Sequence, residues 1–68
     1  MILKKFGEAV RKRRKELGLS QEELAERAKL HRTYIGMIER GEKNLTLTNI
    51  EKLAVSLNCS ISELTGEL

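Results

Sequence analysis

SQEELAERAKLHRTYIGMIERG, residues 20–41, decides how the rest of the chain must fold. Ser20-Gln21-Glu22-Glu23 opens it as a capping box: the serine oxygen accepts a backbone N–H of the first turn, and Glu23 reaches back to the N-cap amide. A helix follows over about 21–28, with Leu24, Ala25 and Ala28 on its inner face. Lys29 and Leu30 turn the chain. The next helix begins at His31 or Arg32 and runs to Arg40, with Ile35 and Ile38 inward and Gly41 as terminator. Two short helices joined this closely cross steeply, and the crossing point takes only a small residue. Ala25 stands there. Leu24, Ala28, Leu30, Ile35 and Ile38 then make a shared core beneath the pair. Arg32, Thr33, Met37 and Arg40 are left on the outer face of the second helix, with Tyr34 at its flank.

Working outward, Leu3, Phe6, Val10 and Leu17 recur at helical spacing, with Arg13 and Arg14 filling the fourth turn. They predict a first helix over about 3–17, stopped by Gly18. Downstream, Leu45 and Leu47 anchor a loop, and Thr46 or Thr48 caps a fourth helix with the stripe Ile50, Leu53, Ala54 and Leu57. Asn58 stops it. Ser60-Ile61-Ser62-Glu63 is a second capping box, opening a short fifth helix that ends at Gly66. The expected fold is all-α, a compact five-helix bundle in a single domain over residues 1–68. Helix 2 (about 21–28) and helix 3 (about 31–40) are its functional pair.

A chain of 68 residues has a core of marginal stability, and disulfides, a metal or a partner subunit commonly supplement it. Cys59 is the only cysteine, which rules out an internal disulfide, fits a reducing cytoplasm and suits a small core or interface residue. His31 is the only histidine and has no ligand companion at useful spacing, so no metal is expected. Self-association remains, through Ile61, Leu64 and Leu68 as the best remaining apolar surface. Apolar runs reach two or three residues, as in Leu53-Ala54-Val55, and imply neither a membrane span nor a signal peptide. With no glycine-rich phosphate loop and no Ser–His or Cys–His arrangement, neither an enzyme, a cofactor nor a small-molecule ligand is expected. The charge is asymmetric: residues 1–43 carry a net +5, residues 44–68 a net −2. One end therefore suits a polyanion. With a single tyrosine and a single phenylalanine the chain lacks the stacking platform of an RNA binder.

Ser20-Gln21-x-x-Leu24-Ala25-x-x-Ala28, Leu30, Ile35-x-x-Ile38-Glu39-x-Gly41 and Asn44-Leu45-Thr46-Leu47-Thr48-Asn49-Ile50-x-x-Leu53-Ala54 together resemble the Cro and phage-repressor type of helix-turn-helix, also called the XRE family. More narrowly, His31-Arg32-Thr33-Tyr34-Ile35, Ile38-Glu39-Arg40-Gly41 and Asn44-Leu45-Thr46 look like the controller proteins of bacterial restriction–modification systems. The resemblance implies a lambda-repressor-like domain that binds double-stranded DNA sequence-specifically, as a homodimer on an inverted repeat. It makes Arg32 the first base reader, with the fork geometry for guanine O6 and N7. Thr33 is placed against a base or a thymine methyl, and Met37 either against a thymine methyl or as a gap-filler. For Tyr34 a phosphate contact and a packed flank both fit. Gln21 would hold a phosphate and brace Arg32, or be a plain helix-start residue, while Lys43 and Asn44 would hold the sugar–phosphate backbone. In this family an arginine of helix 1 pairs with a glutamate late in helix 3, and Arg14 and Glu39 stand at the matching places. RNA polymerase is a further partner for such a regulator.

Two positions depart from the family pattern. Lys29 occupies a turn where many members have glycine, which costs about 1 kcal/mol if the residue is left-handed. Gly36 sits inside helix 3, either for close approach to DNA or as a tolerated small residue. The rival function is an antitoxin or adaptor module whose main partner is protein. Antitoxins of this fold usually carry extra surface for their toxin, and none is expected so soon after helix 5.

Overall fold

A computed structural model describes residues 2–66. Five helices follow one another: α1 (Ile2–Glu16), α2 (Gln21–Ala28), α3 (Arg32–Glu39), α4 (Leu47–Ser56) and α5 (Ile61–Thr65). Side-chain caps set the beginnings of α2, α4 and α5, whereas His31 makes no side-chain cap at the start of α3. Ser20 Oγ accepts from Glu23 N at 3.0 Å while Ser20 N donates to the Glu23 carboxylate at 2.8 Å, and Ser60 and Glu63 repeat the arrangement at 3.1 and 2.9 Å. These backbone bonds, then the serine hydroxyls, hold both glutamate carboxyls below their ordinary pKa. Thr46, rather than Thr48, caps α4 by accepting from Asn49 N at 3.1 Å.

The first four helices all end the same way. Gly18, Lys29, Gly41 and Asn58 adopt left-handed φ values of 70°, 57°, 74° and 53°. The residue after each donates five back along the chain: Leu19 to Arg14, Leu30 to Ala25, Glu42 to Met37 and Cys59 to Ala54, at 2.9–3.0 Å. This is the Schellman closure, which satisfies carbonyls the helix leaves open and turns the chain sharply. Arg13 adds a side-chain lock on the end of α4, donating from Nε to Leu57 O at 3.0 Å and from Nη2 to Asn58 O at 3.2 Å.

The core joins Phe6 and Val10 of α1 to Leu24, Ala25 and Ala28, to Ile35 and Ile38, and to Leu53, Ala54 and Leu57. Two expectations about apolar residues change places. Leu64, expected on the face between two copies, is only 4% exposed and packs within this core. Ile61 is half-buried against the same core, and Leu68 lies outside the described residues. Conversely Leu47, expected to anchor a loop, is the first residue of α4 and is 72% exposed. The period of the stripe was readable, but a five-residue helix shows too little of it to separate inside from outside.

Gly7 governs how closely α1 meets α3. A methyl group built there would overlap the Ile38 carbonyl oxygen and lie 2.8 Å from that of Glu39. Gly7→Ala is therefore expected to destabilise the domain by roughly 1–3 kcal/mol or more through overpacking against backbone. Lys29→Gly should act oppositely, adding about 1 kcal/mol by relieving a left-handed lysine. Chemical denaturation of the two variants checks both signs; a stabilised Gly7→Ala or a destabilised Lys29→Gly would refute the corresponding geometry.

Candidate nucleic-acid interface

α3 is held from behind by a charged network. Arg14 grips Glu39 with two parallel bonds, Nε to Oε2 at 2.7 Å and Nη2 to Oε1 at 3.0 Å, while its Nη1 donates to Leu19 O at 2.8 Å. Gln21 Nε2 donates to Glu39 Oε1 at 3.1 Å. The two charged side chains are 10% and 3% exposed. The bond to Glu39 raises the Arg14 pKa above its already high ordinary value, outweighing the opposing effect of burial, so the guanidinium stays charged. No buried side-chain nitrogen or oxygen among the described residues is left without a partner. The pair expected from helices 1 and 3 thus forms, and it also recruits the start of α2. Gln21 braces α3 at Glu39, near its end, and not at Arg32. Its amide is directed inward by an acceptor that sequence spacing alone does not reveal.

At the other end of the helix, Arg32 and Thr33 are exposed in the first turn of α3, and Arg32 makes no ion pair among the described residues. Met37 is half-buried one turn further along. Arg40 is exposed beyond it, its Nε 3.1 Å from a Glu42 carboxylate oxygen. Gly36 is buried beneath Arg40 and Gln21: a methyl group there would meet Arg40 Nη1 at 3.1 Å and Gln21 Oε1 at 3.7 Å. Its small size gives the Arg40 guanidinium room over the helix, while the contact with Gln21 would be an ordinary one. Lys43 and Asn44 project from the loop after α3, both exposed.

Tyr34 joins these segments. Its ring is half-buried against the core, its Oη accepts from Asn49 Nδ2 at 3.0 Å, and Lys43 Nζ lies 5.9 Å from the ring centroid. The packed flank is thus occupied, while the hydroxyl hydrogen remains to be donated. Asn49 and Arg13 were not singled out by sequence, because their partners are 15 and 44 or more residues away. Taken together, the surface carries cations and neutral donors on a rigid helix edge, the chemistry a duplex backbone and base edges require. Among the described residues there is no cluster of three or more His, Cys, Asp or Glu able to hold a metal, and no helix long and apolar enough to cross a membrane.

Comparison with known proteins gives the family to which this fold belongs. A family profile described as helix-turn-helix matches residues 10–64. Control protein C.SmaI of Serratia marcescens is 53% identical over 59 residues, covering 87% of this chain and 70% of its own. Control protein C.BamHI of Bacillus amyloliquefaciens is 47% identical over 60 residues, 87% of this chain and 74% of its own. The crystal structure of the restriction-modification controller protein C.AhdI from Aeromonas hydrophila superposes with a TM-score of 0.89 at 48% identity, covering 91% of this chain and 94% of that one.

Removing Glu39 tests the brace. Glu39→Ala leaves the Arg14 guanidinium buried without its counter-charge, which costs roughly 3–5 kcal/mol. That approaches the whole stability of a small domain, so the variant should unfold at a much lower temperature. Thermal denaturation indistinguishable from the wild type would reject the role given to the pair.

Proposed function

The chain belongs to the helix-turn-helix family, and we propose that it acts as a homodimer that sets one α3 into each of two successive major-groove faces of an inverted-repeat operator. It is a DNA-binding regulator of transcription and not an enzyme. The observation that carries the finer reading is the contrast between the two ends of α3. The last turn is fixed by the Arg14–Glu39 bonds, and the first turn presents Arg32 and Thr33 exposed, with no ion pair holding Arg32 among the described residues. An α-helix fits the major groove, where Arg32 has the geometry to take guanine O6 and N7 together. Thr33 and Met37 would meet neighbouring bases, while Tyr34, Lys43 and Asn44 would hold the backbone and fix register. Gln21 is left with a second amide hydrogen for a phosphate at the start of α2, where free N–H groups also favour an anion.

One helix of this length reaches only a few base pairs, so a second copy supplies the rest of the site. The surface that suits the partner lies on α4. Leu47 and Val55 are 72% and 74% exposed, eight residues apart on one side of the helix, with Glu51 between them and Lys52 adjoining. Exposed apolar residues aligned in this way favour association, and Glu51 and Lys52 offer complementary charge across a twofold axis. Likeness to C.SmaI and C.BamHI extends the proposal to control of a restriction–modification system, in the cytoplasm, with RNA polymerase as the machinery acted upon.

Two exposed-site variants test the reading without threatening the fold. Arg32→Ala should weaken binding to a duplex selected from a random pool by about 1–3 kcal/mol and relax preference at one position in each half-site. Val55→Asp should move the protein toward monomer in sedimentation and lower operator affinity. A folded Arg32→Ala protein with unchanged preference would overturn the base-reading role; a fully dimeric, tight-binding Val55→Asp protein would overturn the α4 interface.

A further inference from the structure

We propose that Asn49 is a positioning residue for DNA binding: by donating to Tyr34 Oη it forces the tyrosine hydroxyl to donate outward, toward a backbone phosphate. This rests on the duplex-binding reading above and adds to it a residue that touches no DNA itself.

An amide nitrogen carries hydrogens and no available lone pair, so the 3.0 Å contact has one direction, from Asn49 Nδ2 to Tyr34 Oη. A phenolic hydrogen lies near the plane of its ring and has two orientations. With one side of the oxygen taken by the Asn49 amide, the hydrogen occupies the other. Asn49 is itself well placed to impose this, since its backbone N–H is held by Thr46 Oγ1 at 3.1 Å in the first turn of α4. The half-buried ring is fixed against the core, and Lys43 Nζ lies 5.9 Å from its centroid. α3, the following loop and α4 thus contribute a ring, an ammonium and an amide to one cluster. That cluster offers an anion a neutral O–H donor beside a cation, and the chemical class it fits is a phosphodiester. Without the amide, the hydroxyl is free to turn inward to water or another acceptor, and the donor is available to phosphate only part of the time.

The test is a double-mutant cycle on affinity for the protein's selected duplex and for a scrambled duplex of equal length. Asn49→Ala and Tyr34→Phe should each weaken binding about 2- to 10-fold, the worth of one neutral hydrogen bond. Combined, they should lose little more than either alone. Because a phosphate carries no sequence information, the loss should appear on both duplexes. Neither change should alter the salt dependence, whereas Lys43→Ala lowers the slope by about one. Asn49→Asp should lose more than Asn49→Ala, since a carboxylate accepts the tyrosine hydrogen and turns it away from DNA. Fully additive losses, unchanged affinity in Asn49→Ala, or a loss confined to the selected duplex would overturn the proposal. Arg32→Ala separates this from the underlying reading: if the wild type discriminates the two duplexes and Arg32→Ala abolishes that while Asn49 has no effect, only the positioning role fails. If the wild type binds neither duplex, the duplex reading fails and takes this one with it.

Discussion

The two parallel bonds between Arg14 and Glu39 are the constraint on which the rest of the domain depends. Four segments meet at this pair: α1 through Arg14, the end of α3 through Glu39, the start of α2 through Gln21, and the α1–α2 connection through Leu19 O. The network does not have to add net stability, because taking two charges out of water costs about as much as their attraction returns. Its directional bonds do something that apolar packing does less well. They fix the rotation of α3 about its own axis and thereby decide which side chains face outward. Gly7 makes the arrangement possible. Seven residues before Arg14, it stands two helical turns away on the same side of α1, and by carrying no side chain it lets α1 come up against the carbonyls of Ile38 and Glu39.

Rigidity at one end of α3 and freedom at the other is what recognition of a groove requires. A reader helix held by its own core loses little further freedom on binding, so more of the contact energy appears as affinity. Arg32 makes no ion pair among the described residues, so on the proposed reading it breaks none to reach a base. Arg40 differs, since it is engaged by Glu42, although both are more than half exposed and such pairs contribute little. The positive charge is concentrated in residues 1–43, the half of the chain that also presents α3, and favours a polyanion there.

The helices were legible because their ends are written locally. Ser20 with Glu23, Ser60 with Glu63, and the terminators Gly18, Gly41 and Asn58 act within a few residues of themselves. Lys29 was legible as an anomaly for the same reason, and it does take the left-handed conformation. What stayed hidden depends on partners distant in the chain. Gly7 reads as an ordinary break in helix propensity until Ile38 is brought against it. Gln21 reads as a brace for Arg32 until Glu39 is seen to accept from its amide. Leu64 reads as free apolar surface until the packing of α5 against α1 and α4 puts it inside. The exposure of Arg32 and Thr33 followed from helical period alone, whereas the bond from Asn49 depends on a tyrosine on another helix.

Chemical protection of guanine N7 on the selected operator tests the central claim most directly, because N7 is exposed only in the major groove. The account predicts protection at two places on the duplex, about 10 base pairs apart from centre to centre, and loss of both with Arg32→Ala. Guanines that remain fully reactive under saturating protein, or protection spread evenly along a scrambled duplex, would contradict it.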